Sequence, residues 1–574
     1  MTAGLTPSER VTIGLPVHLR RYVVPQEYSA YTPRDQAVWR HILRRLVRHL
    51  ASRAHPSYLR GLEATGIGTE RIPSMDEMNE KLARLGWSAV SVRGFIPPAV
   101  FTELQALRVL AIAGDIRTHE HIEYTPAPDI VHESAGHAPI LADPSYAAFL
   151  RAAGEVGFRA IASVEDQEVY EAIRALSIVK EDPAATPAEV AGAERRLEQA
   201  GAARRFVSES TRASRRFVSE ATRASRLYWW TAEYGLVGAL DDPRIYGAGL
   251  LSSIGESTHC FSGEVERIPL GVHAADVEYD ITRMQPQLFV ARDFGQLREV
   301  VDELASTLAW RRGGDYGLGQ ALAARTVNHL VLDNGTAVTG VVGALHPGAA
   351  STDPELTTAI AVLRGPTLLS RAGKAIAPPS DLPALVVFVQ PQPHALVQPQ
   401  PQALVQQQPQ ALEHPQASVH LPPAQPFRIS FTSGLVLAGR MVDGVAHELR
   451  ASIGSRELEV PARAVLFFSK ALPSVAGGPG DPGAWDARFG APVPDEEGEA
   501  RARAHKASAL APRLAELYRE VRAMRESGRA DGSRLVKIAE EAVAFPEDWL
   551  LRAEIQEMMG REAQEEGVAG TQRA

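Results

Sequence analysis

Tyr124-Thr125-Pro126-Ala127-Pro128-Asp129-Ile130-Val131-His132-Glu133-Ser134-Ala135-Gly136-His137 sets two imidazoles five residues apart, with a carboxylate beside the first. Farther along, Tyr228-Trp229-Trp230-Thr231-Ala232-Glu233-Tyr234-Gly235 offers another carboxylate, Glu233. Two neutral His and one carboxylate on one side of an ion leave positions open on the other, the facial arrangement of non-haem Fe(II) centres. The spacing differs from the zinc-peptidase motif, whose His residues stand at i and i+4, about 40° apart around a helix. Here i+4 is Gly136, and His137 at i+5 lies about 140° round an ideal helix. Both imidazoles reach one ion if the helix ends between them, which Gly136 and the following Pro139 predict. Taken alone, a structural His pair explains the spacing equally well.

Composition bounds what such a centre serves. The chain has 574 residues, so two or three units are expected. Lys+Arg 60 against Asp+Glu 69 gives a net charge of −9, which argues against nucleic-acid and anionic-membrane partners. A single cysteine, Cys260, excludes an intramolecular disulfide framework and suits a reducing compartment. The N-terminus has no basic-then-apolar signal pattern, and no apolar run reaches the roughly eighteen residues of a membrane span. The expectation is a soluble, cytoplasmic protein.

Four blocks in order widen the reading: Tyr-Thr-Pro-x-Pro-Asp-Ile-x-His-Glu-x-x-Gly-His at 124–137, Tyr-Trp-x-Thr-x-Glu-x-Gly-Leu at 228–236, Tyr-Gly-Ala-Gly-Leu-Leu-Ser-Ser-x-Gly-Glu at 246–256, and Gln-Pro-x-Leu-x-Val-Ala at 285–291. Together they resemble the pterin-dependent aromatic amino acid hydroxylases, over roughly residues 30–310. The resemblance implies Fe(II) held by His132, His137 and Glu233, with tetrahydrobiopterin as the reducing cofactor. It implies a pterin site at Phe95, Ile96 and Phe101, the last stacking its ring, and at Glu133 near the oxygen side. Arg117, fifteen positions before His132, would take the carboxylate of an amino acid through its planar fork. Thr125, Pro128 and Trp229 would line the amino-acid pocket, and Tyr228 would lie by the iron. Ser252 and Ser253 resemble the family's substrate-side and His-orienting hydroxyls.

Each assignment has a plainer counterpart. Phe101 and the Tyr228-Trp229-Trp230 run suit an ordinary core, Arg117 a surface loop, and Glu133 the wet face of a helix. The implied reaction is ring hydroxylation by O2, one oxygen atom entering the ring and the other leaving on the pterin. Trp229 and Ile281 match L-phenylalanine as the substrate and L-tyrosine as the product, with tryptophan or tyrosine hydroxylation as the alternative. A zinc hydrolase is the alternative from another enzyme class, and a binding protein with a decayed oxygenase core is the non-enzymatic one. Enzymes that recycle the pterin are the implied partners.

The expected architecture is a mainly α catalytic domain of the hydroxylase type, then a small β-rich domain and a helical tail. Residues 1–30 read as an extended arm and 31–312 as the catalytic domain. Trp39, Ile42, Leu43, Leu46, Val47 and Leu50 recur at helical spacing, with a basic opposite face expected in solvent. A helix is expected at Met75–Leu85, a strand at 87–92 and a helix at 99–112. A helical insertion covers about 151–226, including an eleven-residue tandem duplication, 204–214 followed by 215–225, close to three whole helical turns. Residues 313–473 read as β-rich, with hairpin turns at Asn334-Gly335 and Asp443-Gly444, interrupted by a Pro/Gln-rich linker at 390–426. A second linker, 474–495, precedes a tail, 496–574, with an apolar stripe at Leu510, Leu514, Leu517, Tyr518, Val521 and Met524. That stripe suits packing on its own chain. The tail does not resemble the family's usual tetramerisation helix, so monomer and homo-oligomer both stay open.

Overall fold

Residues 4–30 do not form an extended arm. The computed structural model describes residues 4–571 except 120–121, 123–127, 183, 211–217, 282, 349–357, 389–425, 432–433 and 491–509. Thr6 and Glu9 cap each other reciprocally and open α1 (Pro7–Gly14), a signal present in the sequence, and α2 (Val17–Arg20) follows. Leu15 and Leu19 bury themselves among Val90, Val92, Leu104 and Val109, with Ile96 and Phe101 at the edge of the same cluster.

A second capping box, Thr32 with Asp35, starts α3 (Pro33–Leu50). Trp39, Ile42, Leu43, Leu46 and Leu50 are buried as their spacing predicts, each contributing roughly 1.5–3 kcal/mol, while Val47 is only partly buried and Val38 joins the buried set. The basic face is solvated only in part: Arg48 is exposed, but Arg40 is 1% exposed and faces Glu554 of the tail. Single-sequence periodicity shows a polar face but not what covers it.

Helices α4 (Ser57–Ala64) and α5 (Met75–Leu82) lead to strand β1 (Ser88–Val92) and helix α6 (Pro98–Ala106). The helix expected to run to residue 112 stops at Ala106. Arg108 adopts a left-handed φ of 63°, and Val109–Ala113 then forms β2, parallel to β1 and buried throughout. A Val-Leu-Ala-Ile-Ala run suits a buried strand as well as a helix, so its periodicity could not separate them.

After α7 (Pro144–Arg159) the chain makes an excursion as α8 (Val164–Glu181) and α9 (Pro187–Ser210), two helices packed on each other. It returns at α10 (Glu220–Tyr228), capped by the Ser219 hydroxyl. The base is closed by the Ala221 amide donating to the Ile161 carbonyl at 3.1 Å, and the Ile161 amide donating to the Glu220 carboxylate at 3.2 Å. The excursion is therefore 162–218, narrower than expected, because α7 belongs to the core. Residues 204–210 of the first duplicated unit end α9 and 220–225 of the second begin α10, while 211–217 lie outside the described residues.

A four-stranded sheet follows, β3 (Leu236–Gly238), β4 (Pro243–Ile245), β5 (Glu266–Pro269) and β6 (Gln287–Ala291), in the order β4-β3-β6-β5. The helix Phe294–Thr307 then packs along α7. Beyond it, β7 (Val327–Val331) and β8 (Thr336–Pro347) form the hairpin expected at Asn334-Gly335, with Gly335 at φ 78°. They join a second sheet with β9 (Thr358–Arg371), β10 (Lys374–Ala375), β11 (Ala384–Phe388), β12 (Pro426–Ser430), β13 (Leu435–Val442), β14 (Val445–Ile453), β15 (Arg456–Leu458), β16 (Arg463–Ser469) and β17 (Ser474–Gly477). Its path is β12-β13-β14-β16-β11-β9-β8-β7-β17, with β10 on β9 and β15 on β14. Strands from both sides of the Pro/Gln-rich stretch thus share one sheet, joined where β11 runs parallel to β16. Most of that stretch lies outside the described residues.

The second linker is a correction. Ser474–Gly477 is a paired strand, and Pro482–Phe489 is a helix packed on α2, where Asp486 meets Arg21 at 2.6 Å. The tail helices Pro512–Ser527, Gly532–Ala542 and Trp549–Thr571 send Leu514, Leu517, Tyr518, Leu535, Ile538, Leu551 and Ile555 into the same core as α3. The stripe does pack on its own chain. Among the described residues no helix is long and apolar enough to cross a membrane.

Candidate metal centre and its surroundings

The two imidazoles converge without the helix ending between them. Val131–His137 is a π-helical turn, in which the hydrogen bond reaches five residues instead of four, so residue i+5 comes over residue i. That local widening replaces the break expected from Gly136. Gly136 serves a different need, since a Cβ there would meet the Ala248 carbonyl oxygen at 2.8 Å. Glu233 also ends a π-helical turn, Trp229–Glu233, at the end of α10.

Ligand atoms of His132, His137 and Glu233 all lie within 4.8 Å of one another. Glu233 sits 3.3 Å from His132 Nε2 and 3.1 Å from His137 Nε2. His137 Nε2 is buried and, among the described residues, makes no hydrogen bond of good geometry, with the Glu233 carboxylate its polar neighbour at 3.1 Å. Buried nitrogens left unbonded are costly unless something else accepts them, and an ion does so. Three N/O donors around one point, with no fourth protein ligand among the described residues, fit Fe(II) in a facial site.

Ser252 decides the tautomer of His132. Its hydroxyl donates to the Ala248 carbonyl at 2.8 Å, so at His132 Nδ1, 3.0 Å away, it accepts. Nδ1 therefore carries the proton and Nε2 presents its lone pair to the centre. This is the His-orienting role, filled by Ser252, whereas the Ser253 hydroxyl accepts from the Glu256 amide at the start of helix Ile254–His259.

Two acids beside each other are driven apart. Burial pushes Glu233 up, but His137 and His132 together outweigh it and hold its carboxyl well below the usual carboxylate range. For Glu133, burial dominates against the pull of His137. With Glu233 and Asp129 adding to it, its pKa is pushed up to about 8. A cation bound among the ligands would draw both down.

Arg117 is buried and gripped by Asp129, which accepts from its Nε at 2.7 Å, its Nη2 at 2.8 Å and its backbone amide at 3.0 Å. Against the effect of burial, Arg117 keeps the Asp129 carboxyl below its ordinary range. Asp129 also accepts from the His132 amide at 3.0 Å, so one side chain ties the Arg to the metal turn. A guanidinium has five donors, and Nε, one at Nη2 and a long 3.4 Å bond from Nη1 to the Ile122 carbonyl use three. Among the described residues nothing takes the one remaining donor on each Nη, and together they make a fork of the right shape for a carboxylate. Asp129 stood inside the quoted motif, twelve positions after Arg117, but nothing in the spacing assigned it this part.

The remaining candidates fall around these. Phe101 meets Tyr228 edge-to-face at 5.8 Å, and Gln105 Nε2 donates to the Tyr228 hydroxyl at 2.6 Å. Burial raises Tyr228 well above the ordinary tyrosine value, so it stays protonated. Ile96 and Phe101 both pack against the Leu15–Leu19 cluster, and the Phe95 carbonyl accepts from the Tyr170 hydroxyl at 3.2 Å. Trp229 is stacked by Tyr279 at 4.3 Å and Tyr234 at 4.6 Å, with its indole Nε1 buried and unbonded. Trp230 is a core residue that donates to the Val277 carbonyl at 2.9 Å. Pro128 is half-buried, next to Asp129, and Thr125 lies outside the described residues. Gln105, Tyr170, Tyr234 and Tyr279 were not legible as partners, since each meets its neighbour only through the tertiary fold.

Residues 21–174 and 213–317 match the sequence model of a family described as biopterin-dependent aromatic amino acid hydroxylase. The gap, 175–212, falls inside the excursion. The chain is 28% identical to a phenylalanine-4-hydroxylase of Chromobacterium violaceum over 291 residues, 50% of this chain and 80% of that one. It is 30% identical to a phenylalanine-4-hydroxylase of Pseudomonas aeruginosa over 275 residues, 48% and 84% of the two chains. A crystal structure of the C. violaceum enzyme with iron(III) and 7,8-dihydrobiopterin aligns at 27% identity and a TM-score of 0.39, over 52% of this chain and 90% of that one.

Proposed function

The chain belongs to the biopterin-dependent aromatic amino acid hydroxylases, and from that membership we propose that it converts free L-phenylalanine to L-tyrosine with O2, tetrahydrobiopterin and Fe(II). The observation that carries this reading is the convergence of His132, His137 and Glu233 beside the Asp129-held Arg117. Membership sets aside a zinc hydrolase and a decayed binding protein. Relatives named phenylalanine-4-hydroxylase support phenylalanine over tryptophan or tyrosine.

Each residue then has a physical task. His132, His137 and Glu233 would hold Fe(II), and Ser252 would keep His132 in the ligating tautomer. When bound, the iron and the reduced pterin supply the electrons and the site at which O2 is activated. Arg117 binds the α-carboxylate through its remaining fork, with Asp129 fixing its orientation. The Tyr234–Trp229–Tyr279 stack makes a flat, rigid wall for the substrate ring, with Pro128 and Thr125 as further lining. Phe95, Ile96 and Phe101 form the pterin side. Tyr228 accepts from Gln105, which leaves its phenol proton for a neighbour, and the buried Glu133 carboxyl stands next to the centre. Apolar packing around these groups excludes water from the reaction.

The test is aerobic turnover of the Fe(II)-loaded protein with tetrahydrobiopterin and each aromatic amino acid in turn. Tyrosine formed from phenylalanine, in step with pterin oxidation, is the expected outcome. 5-Hydroxytryptophan or dihydroxyphenylalanine as the main product would replace the substrate. Absence of pterin oxidation with iron bound would overturn the reaction.

A further inference from the structure

We propose that the excursion between Ile161 and Ser219 carries a positioning residue for the pterin: Tyr170, whose hydroxyl holds the 94–101 segment in register with Tyr228. This rests on the function proposed above. Asp166 and Tyr170 stand four residues apart on α8, and so on one face of the helix. The Asp166 carboxylate accepts from the Thr222 hydroxyl of α10 at 2.7 Å, and α10 ends in Tyr228. One turn later the Tyr170 hydroxyl donates to the Phe95 carbonyl at 3.2 Å. A single helix thus grips both walls of the cleft where the Phe101 and Tyr228 rings meet.

Nor is α8 a loose arm. Glu165 in its first turn pairs with Arg325, and the Ala162 carbonyl just before it accepts from the Thr326 hydroxyl at 2.6 Å. These contacts fasten the start of α8 to the segment that enters the large sheet. The closed base at Ile161 and Ala221 fixes the same end to α10. The Phe95 carbonyl is therefore held from a rigid support, and a flat ligand entering beside Phe101 meets a segment already ordered. Pre-organisation of this kind raises affinity by lowering the ordering cost of binding. Arg117 and Asp129, on the amino-acid side, stand on other elements, so the effect of the Tyr170 hydroxyl falls on the pterin.

The experiment titrates 7,8-dihydrobiopterin into the full-length protein and its Tyr170→Phe variant by calorimetry, with turnover and thermal unfolding in parallel. Loss of one neutral hydrogen bond predicts a Kd about three- to ten-fold weaker. The KM for tetrahydrobiopterin rises by the same factor, while the KM for the amino acid, kcat at saturation and the unfolding temperature stay as in the wild type. Kd values within about two-fold of each other overturn the inference and leave the proposed function standing. A lowered unfolding temperature with both KM values raised alike marks a mere strut and also overturns it. A wild type that binds no dihydrobiopterin removes the pterin reading and this inference together.

Discussion

The Ser252 hydroxyl accepts a hydrogen bond from Nδ1–H of His132 because its own proton is committed to the Ala248 carbonyl. A residue 120 positions downstream thus determines which imidazole nitrogen faces Glu233. Ser252→Ala frees the ring to flip or change tautomer, and partners of this kind are worth about 10- to 100-fold in metal affinity. Fe(II) titration of the variant should show that loss, with Ser252→Thr retaining most of the affinity. His132→Ala and His137→Ala should bind no stoichiometric iron.

Arg117→Lys keeps the charge but removes the fork. A point ammonium cannot grip Asp129 and a substrate carboxylate at once with the same geometry. The amino-acid KM should rise about 10- to 100-fold, from losing one charge-assisted hydrogen bond, while the tetrahydrobiopterin KM is unchanged. Steady-state kinetics with each substrate varied in turn would read this directly.

Glu554→Ala removes the carboxylate that Arg40 and Arg525 share in the core. Among the described residues Arg40 then keeps its bond to the Glu70 carbonyl alone, and an uncompensated buried charge costs roughly 3–5 kcal/mol. Urea unfolding should show that loss of stability, whereas Arg298→Ala, which breaks an exposed pair with Asp302, should stay within about 1 kcal/mol.

Glu220 gives a pH signature. Burial pushes its carboxyl up to about 7, against the Ala309 and Ile161 amides that donate to it. The folded protein then holds a proton that the unfolded chain has released. Its contribution to stability is fully present below the ordinary glutamate pKa, near 4.3, and is lost as pH rises towards about 7. The loss is on the order of 3 kcal/mol. Subtracting the stability curve of Glu220→Gln from that of the wild type should isolate a decline across that window and a flat difference above it.

The catalytic half was readable because its chemistry is written in short blocks. His132, His137 and Glu233 sit in motifs whose order survives a long excursion, and capped helices such as 33–50 announce their own starts. The π-helical turn at 131–137 was not readable, since the i+5 spacing is equally consistent with a broken helix. Nor were Tyr170 with Phe95 or Arg40 with Glu554. Tyrosines, carbonyls and opposite charges are so common that sequence alone does not choose among their pairings. The strand at 109–113 was lost to the ambiguity of a short apolar run, and Arg108 at positive φ, which ends the helix before it, carries no sequence mark.

The seating of the last helix against α3 also has a consequence for synthesis. Arg40 and Glu554 are 514 residues apart. At roughly 5–20 residues per second the ribosome delivers the second about half a minute to two minutes after the first. Throughout that interval α3 is made but lacks Leu517, Tyr518 and Ile555, and its guanidinium has no carboxylate to meet. The three proposed ligands are all translated in the first half of the chain, yet the scaffold behind them closes only once the tail helices are made. Products truncated anywhere in the second half would carry an open apolar face for chaperones and proteases to find.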